Sequence, residues 1–322
     1  MYEAIKNFSK QFEYKPKIGN KEKLLPLEKF IVIGMGGSHL AADLLKTWNP
    51  FLDVLIHRNY GLPYLSDAEL KQRLIILSSY SGNTEETLDA YARAKEKRYP
   101  MAVIAVGGKL LEKARKDRVP YIQLPDTGIQ PRSALGYSFK ALLKLIGVEE
   151  EVEKEVSALA NSLDPTVMEE EGKALARRLR GFVPVIYSSA ENIAIAYNWK
   201  IKFNETGKVP AFCNYLPELN HNEMTGFDVV PATKKLSEKF YFLILKDTTD
   251  HPQIVKRAGA LGNLYHDRGL HAEIINLDGA RIFRKIFSSL LLADWTAYYL
   301  GKDYGVETEQ VPMVEEFKKL IA

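Results

Sequence analysis

The sequence predicts an α/β protein with two open sandwich domains, each built on a mostly parallel central sheet flanked by helices. The first observation is that short runs, apolar throughout, alternate with amphipathic segments of helical length, as at residues 30–36 and 101–106. Strands that are apolar on both faces are typical of parallel sheets covered by helices on both sides. The second observation is that this alternation begins again after an acidic, polar stretch near residues 147–165. We therefore predict two domains, residues 1–155 and 156–322.

The individual elements follow from the same patterns. In the first half the predicted strands are residues 30–36, 53–57, 73–79, 101–106 and 121–124, and the predicted helices are 38–48, 84–98, 109–116 and 133–146. Glu85 and Glu86 lie in the first turn of the second helix, where the helix dipole favours negative charge. In the second half the predicted strands are residues 183–188, 239–245 and 271–276, and the predicted helices are 191–206, 253–267, 281–300 and 312–321.

Composition and charge exclude several classes of protein. The 322 residues include 44 Lys and Arg against 41 Asp and Glu, and this balance provides no strongly basic footprint for a nucleic acid. The single cysteine, Cys213, can form neither an internal disulfide nor a cysteine-rich zinc site. His and carboxylate residues show no metal-ligand spacing, so we expect no metal. Residues 1–12 lack the apolar core of a signal peptide and no apolar run could cross a bilayer, so we expect a cytoplasmic protein without a membrane partner.

Two corners between a strand and a helix have an unusual composition. Residues 34–38 are rich in glycine and end in Ser38, while residues 78–84 contain four Ser and Thr hydroxyls and a glycine. Ligands of open parallel sheets bind beyond the carboxyl ends of the strands, where helix N–H groups and hydroxyls can surround an anion. One such corner alone is more simply a helix cap with a turn. Two in one sheet favour an anion site, with the candidate ligands Gly37, Ser38, Ser79, Ser81 and Thr84.

The kind of anion is less clear from these residues alone. The Gly-x-x-x-x-Gly-Lys-Ser/Thr pattern of nucleotide-binding loops is missing. The dinucleotide fingerprint fits in part, because Gly34 and Gly36 match but His39 occupies the last glycine position. A dehydrogenase therefore stays open as an alternative, in which Arg58 would hold a ribose phosphate.

Several segments together resemble one family. The sequence SYSGNTEET at residues 79–87 resembles the motif of sugar isomerase (SIS) domains, and residues 34–38 resemble their first phosphate corner. PRSALGY at 131–137, NHNE at 220–223 and the segment 200–207 are similar to the bifunctional phosphoglucose/phosphomannose isomerase family. The resemblance runs from about residue 30 to the C-terminus. It implies two SIS domains, a metal-independent isomerase of glucose 6-phosphate and fructose 6-phosphate, a second activity on mannose 6-phosphate, and no cofactor.

The resemblance also implies four catalytic residues. Glu205 matches the proton-shuttling base, and it lies near a predicted helix C-terminus, whose dipole makes a carboxylate more basic. His221 matches the ring-opening histidine, which in this family comes from the neighbouring subunit of a homodimer. Arg132 matches the arginine beside the enediolate oxygens. Lys318 matches a lysine that assists ring opening, although Lys319 stays open as the alternative.

Two departures from the family pattern bear on function. His39 and Ala42 stand where the family usually has glycines, so His39 would either cap or narrow the pocket rim. Val311 precedes Pro312 where the bifunctional enzymes have a threonine that is linked to mannose 6-phosphate, which puts that activity in doubt. A sugar-phosphate-sensing SIS protein without turnover is a further alternative. It would need Ser38 and the other hydroxyls but not the catalytic residues.

Overall fold

The computed structural model describes residues 1–148, 150–279 and 281–321 and contains ten strands. These are β1 Ile18–Gly19, β2 Lys29–Ile33, β3 Val54–His57, β4 Arg73–Ser78, β5 Met101–Ala105, β6 Tyr121–Gln123, β7 Val183–Ser189, β8 Phe212–Leu216, β9 Phe240–Lys246 and β10 His271–Asn276. The α-helices are α1 Tyr2–Lys6, α2 Gly37–Trp48, α3 Asp67–Lys71, α4 Glu85–Glu96, α5 Gly108–Lys116, α6 Leu135–Ile146, α7 Glu150–Ser162, α8 Glu169–Leu179, α9 Ile193–Glu205, α10 Glu223–Gly226, α11 Lys234–Ser237, α12 Pro252–Asp267, α13 Ile282–Asp303 and α14 Pro312–Leu320.

The chain divides into two compact units. The N-terminal unit comprises Asn7–Ser162, and the C-terminal unit comprises Met1–Lys6 together with the chain from Leu163 onward. The division lies after Ser162 rather than after residue 155, because α7 packs in the N-terminal unit. The buried ammonium of Lys140 on α6 donates to Ser157 Oγ at 2.8 Å and lies 3.3 Å from the Glu153 carboxylate, so two residues of α7 hold this helix to α6.

The N-terminal unit is built on a six-stranded sheet with the order β1-β6-β5-β4-β2-β3. All neighbouring strands are parallel except β1, a two-residue strand that pairs antiparallel with β6 and that the apolar pattern does not reveal. Ile31, Ile75 and Val103 on three central strands are fully buried, as their apolar sequence predicts. The chain leaves β2 for β3 on one side and returns to β4 on the other, so the strand order reverses between β2 and β4. Ligands of open α/β sheets bind at such a reversal.

The C-terminal unit is built on a four-stranded parallel sheet with the order β10-β9-β7-β8. Three of these strands coincide with predicted ones within a residue or so at each end. The edge strand β8 was missed because Phe212 and Tyr215 are exposed and Asn214 interrupts the run, which leaves no continuous apolar segment. The prediction of an α/β protein with mostly parallel sheets flanked by helices is confirmed.

The long helix α13 and the terminal helix α14 contrast in their burial. Most of α13 is buried, including Trp295. Gly172 of α8 packs closely against this tryptophan, because a Cβ on Gly172 would lie only 2.5 Å from the Trp295 Cβ. No residue of α14 is buried, although the helix carries an apolar face. Within the described ranges, none of the helices combines the length and the hydropathy needed to cross a membrane.

Candidate active site

The first corner follows β2 and begins α2. A Cβ on Gly34 would lie 2.7 Å from the carbonyl oxygen of Ser78, so only glycine lets this corner approach the end of β4. Gly36 adopts φ +51°, a left-handed conformation that glycine tolerates, and it turns the chain into the helix. In the described part of the chain the amides of Gly36 and Gly37 have no acceptor, and they lie at the positive end of α2. This is the arrangement that an anion needs.

The two corners are joined to each other by direct hydrogen bonds. Ser38 Oγ accepts from the backbone N–H of Tyr80 at 2.9 Å, and Ser78 Oγ donates to the carbonyl of Ser38 at 2.8 Å. The corners therefore lie side by side at the point where the strand order reverses. This juxtaposition was predicted only as two separate motifs in one sheet.

Ser79 organises the second corner from within. It is fully buried, and its Oγ accepts from the N–H groups of Gly82 at 3.1 Å and Thr84 at 3.4 Å and bonds Thr84 Oγ1 at 2.9 Å. Ser81 is different, because it is exposed and, among the described residues, its Oγ accepts only from Asn83 N at 3.2 Å. Its own O–H stays able to donate to a ligand. Thr84 directly precedes α4, with no side-chain cap on the helix, so the helix N-terminus stays open to an anion.

A glycine-rich corner after β5, which was not predicted from the sequence, packs against the second corner. Gly82 has φ +70°, and a Cβ there would lie 1.8 Å from the carbonyl oxygen of Gly107 at the end of β5. Gly108, with φ +68°, would meet the carbonyl of Ser81 at 2.4 Å. The amide of Val106 donates to Tyr80 O at 3.0 Å. The paired glycines after a third apolar strand were the signal that could have revealed this support.

Arg132 lies beside the first corner. It belongs to a short 3-10 turn, Pro131–Ser133, and a Cβ on Gly37 would lie 2.8 Å from the Arg132 backbone nitrogen. Arg132 is 1% exposed, so its guanidinium is buried rather than on the surface. Gln11 holds this turn: its Nε2 donates to Ser133 O at 2.7 Å, and its Oε1 accepts from Gly136 N at 3.0 Å. The sequence offered no sign of Gln11, which lies far away along the chain.

His39 is not at a pocket rim. It is 2% exposed within α2, and its Nδ1 lies 2.7 Å from Asp43 Oδ2 one turn further along the helix. The guanidinium of Arg58 bonds the other oxygen of Asp43. The expectation that His39 caps or narrows the rim is therefore wrong, because Asp43 draws the imidazole into a buried pair.

Glu205 is the last residue of α9, as the sequence predicts. Two features fix this helix end. Lys202, one turn earlier, forms a buried ion pair with Asp294 of α13 at 2.6 Å. The ammonium of Lys208 donates to the Glu205 carbonyl at 2.5 Å and also to the carbonyl of Gln310. The base candidate is thereby connected to the turn that carries Val311 and begins α14.

His221 lies in the turn between β8 and α10. Its side chain is exposed, and it has no hydrogen-bond partner within the described residues. Its neighbour Glu223 is held tightly, because Tyr187 on β7 donates to one carboxylate oxygen and Asn214 on β8 to the other, both at 2.5 Å. Burial raises the pKa of the Tyr187 hydroxyl far above its usual range, and Tyr265 and this carboxylate add to the shift. The turn is therefore fixed while the imidazole faces outward.

Lys318 lies on α14 and is exposed. Its Nζ donates to Glu315 Oε1 at 2.7 Å on the same helix, and Lys319 is exposed beside it. Val311 precedes this helix, and its carbonyl accepts from the N–H groups of Val314 and Glu315.

The candidate site residues are divided between the two units. The N-terminal unit contains the phosphate candidates and Arg132, and the C-terminal unit carries the three other catalytic candidates. Within the described residues, no group of three or more His, Cys, Asp or Glu side chains could hold a metal ion.

Comparisons with known proteins identify relatives of the whole chain. The model of the bacterial phospho-glucose isomerase C-terminal SIS domain matches residues 168–321. The chain is 34% identical over 344 residues to the bifunctional phosphoglucose/phosphomannose isomerase of Caldicellulosiruptor bescii, covering 100% of this chain and 99% of that protein. It is 30% identical over 324 residues to the protein of the same name from Aquifex aeolicus, with 99% and 97% covered.

A solved structure extends the likeness to the fold. The C-terminal domain of glucosamine-fructose-6-phosphate aminotransferase from Francisella tularensis matches with a TM-score of 0.70 and 14% identity, covering 96% of both chains. At 14% sequence identity, this match shows similarity of fold alone. The two full-length relatives carry the argument further, and they show that the chain belongs to the bifunctional phosphoglucose/phosphomannose isomerase family.

Proposed function

We propose that the protein interconverts glucose 6-phosphate and fructose 6-phosphate through a cis-enediolate, without a metal or cofactor, and that it accepts mannose 6-phosphate more slowly. The observation that carries the proposal is that hydrogen bonds of Ser38 and Ser78 join the two corners where the strand order reverses. Their open amides and hydroxyls suit a phosphate monoester, because neutral donors can surround it without a basic surface. The names of the two full-length relatives support the same substrates.

The remaining steps follow from the chemistry of aldose–ketose isomerisation. His221 and Lys318 move protons at the ring oxygen and open the sugar ring. Glu205 removes the proton from C2, and the electron pair forms the C1=C2 bond of an enediolate whose negative oxygen the Arg132 guanidinium stabilises. The proton of the C2 hydroxyl moves to the C1 oxygen of this enediolate. Glu205 then returns the carbon proton to C1, and the oxygen at C2 becomes the ketone. The proton and both electrons stay within the substrate and its base, so no redox partner is needed.

The active protein is a homodimer in which His221 completes the site of the neighbouring subunit. Two observations support this part of the proposal. The imidazole is exposed while its turn is rigidly held by Glu223. Apolar side chains of α14 are left uncovered in one chain, with Met313 81%, Phe317 58% and Leu320 77% exposed. Large exposed apolar surface on a helix marks a contact surface.

Two assays test the proposal. Purified protein treated with a chelator should convert fructose 6-phosphate to glucose 6-phosphate in a coupled assay, and Glu205→Gln should abolish turnover while sugar-phosphate binding remains. Tight binding by the unchanged protein without turnover would instead identify a sensor.

The second assay tests whether the histidine crosses the interface. Mixing Glu205→Gln subunits with His221→Ala subunits should then restore up to about one quarter of the activity. No recovery on mixing would place His221 in its own subunit's site.

The dehydrogenase alternative has lost its structural basis. The position of the third fingerprint glycine holds His39, which is buried and paired with Asp43. Arg58, the residue that would meet a ribose phosphate, bonds the same carboxylate. No change in NADPH fluorescence is expected on mixing with the protein.

A further inference from the structure

A cationic cavity lies at the end of the N-terminal sheet opposite to the two corners. It has a volume of about 280 Å³ and opens at the amino ends of β4, β5 and β6. Leu74, Met101 and Val119 contribute to its apolar floor. Neither the proposed reaction nor the family motifs use any residue of this cavity.

Three cations line the cavity: Lys23, Arg98 and Arg118. In the part of the chain that the structure describes, none of their side chains has a hydrogen-bond or ion-pair partner. Nearby carboxylates are already engaged, because Asp67 pairs with Lys71 at 2.6 Å and Asp117 pairs with Lys95 at 2.7 Å. Within the described residues, no carboxylate forms an ion pair with any of these three exposed cations.

The backbone of the two arginines gives a second, independent observation. Both have φ +56°, a left-handed conformation in which a side chain is strained. Each follows the end of a helix in the position where glycine is usual: Tyr99 N donates to Ala94 O at 3.0 Å after α4, and Val119 N donates to Ala114 O at 2.9 Å after α5. The same strained residue type thus occurs twice, in equivalent turns, with both side chains lining one cavity.

The helix ends themselves do not explain these arginines. Cations near a helix C-terminus offset its dipole, but the last turns of α4 and α5 already carry Arg93, Lys95, Lys113, Arg115 and Lys116 in unstrained positions. Glycine would adopt the same backbone conformation at both positions without strain. The presence of arginine there therefore points to a function of its side chain.

We propose that this cavity binds a small anion carrying two or more phosphoryl groups, at a site separate from the catalytic corners. Two guanidinium forks and an ammonium match adjacent phosphoryl oxygens, because arginine donates in pairs to such groups. The small volume and the apolar floor fit a compact metabolite rather than a nucleic acid or a protein segment. The inference is independent of the proposed isomerase reaction.

The experiment is a titration of the full chain with inorganic pyrophosphate, followed by backbone amide NMR signals. Pyrophosphate should shift the amide signals of Arg98, Tyr99, Met101, Arg118 and Val119 as one set, whatever it does at residues 79–84. Arg98→Gly with Arg118→Gly should weaken binding at the first set at least about tenfold. The same double variant should unfold at no lower temperature than the unchanged protein, since glycine relieves the left-handed backbone.

A matched control removes the same charge from the same helix ends. Lys97→Gln with Lys116→Gln deletes two exposed cations that follow or end α4 and α5 but do not line the cavity. This variant should weaken pyrophosphate binding by less than about threefold, as expected for screened surface charges. Equal losses in both double variants would show general charge attraction and overturn the proposal. So would shifts confined to residues 79–84, or unchanged binding after both arginines are replaced.

Discussion

Replacing Ser79 and Ser81 separately by alanine tests how the second corner would bind the phosphate group proposed above. Ser79 Oγ is buried and makes one strong hydrogen bond to Thr84 Oγ1 at 2.9 Å and two longer ones from backbone amides. Gly82 N also donates to the Ser79 carbonyl at 3.0 Å, so that amide keeps an acceptor in the alanine variant. One full hydrogen bond and part of two others are lost, which amounts to about 1–2 kcal/mol of the free energy of unfolding.

Ser81 should behave in the opposite way. Its exposed hydroxyl accepts one bond, from Asn83 N at 3.2 Å, so Ser81→Ala should change stability by less than about 0.5 kcal/mol. If its O–H donates to the substrate phosphate, the loss of a bond to a charged group costs about 1.5–3 kcal/mol of binding, or roughly tenfold or more in KM. Ser79→Ala should raise KM as well, through a misplaced loop.

The assays are urea unfolding and a coupled isomerase assay on the same two variants. The expected result is a separation: Ser79→Ala loses stability and substrate affinity, and Ser81→Ala loses substrate affinity alone. Ser81→Ala with an unchanged KM would refute a direct role in phosphate binding. Ser79→Ala with an unchanged unfolding midpoint would refute the role of its hydroxyl as the organiser of the loop.

Three further predictions concern the C-terminal unit. Lys202→Met should lower the free energy of unfolding by about 3–5 kcal/mol, because it removes the ammonium that pairs with the buried Asp294 carboxylate. Lys202→Met combined with Asp294→Leu should recover most of the loss in urea unfolding, and no recovery would contradict the argument. Burial raises the pKa of Asp250 to about 6, so the folded state holds its proton more tightly than the unfolded state, and stability falls as pH rises from about 4 to 6. Unfolding measured at pH 4.5 and 7 should show Asp250→Asn gaining stability relative to the unchanged protein at the higher pH, whereas parallel pH profiles would speak against it. Val311→Thr should raise the ratio of mannose 6-phosphate to glucose 6-phosphate turnover in the coupled assay, and an unchanged ratio would mean that this position does not set the epimer preference.

The sequence predicted those features that depend on neighbouring residues along the chain. The central strands are apolar throughout because both faces are covered, and the two corners are visible because glycines and hydroxyls follow those strands directly. Glu205 was placed at a helix end for the same local reason. The strand β8 was hidden because it is an edge strand, and its exposed Phe212 and Tyr215 break the pattern that central strands show.

Features that depend on distant contacts could not be predicted. Gln11 holds the turn of Arg132 through bonds that span more than a hundred residues, and its segment has no distinctive composition. The difference between Ser79 and Ser81 depends on which way each hydroxyl points after a strand ends, which their shared motif does not specify. By contrast, His39 and Asp43 lie four residues apart in a segment that the sequence predicts as helical, so their pairing could have been inferred from helical spacing.

The position of Glu205 also changes the physical argument for its role as a base. The sequence placed it at the negative end of a helix dipole, which by itself makes a carboxylate more basic. The structure adds the Lys208 ammonium to that same end, bonded to the Glu205 carbonyl, and a cation there offsets the dipole. The helix dipole alone therefore does not support the proposed role of Glu205 as a base. Lys208 also bonds the Gln310 carbonyl, next to Val311, so its contribution is to hold the base and the start of α14 at a fixed distance. The proposed catalysis by Glu205 then depends on the accuracy of that placement, which can account for a large share of a rate enhancement.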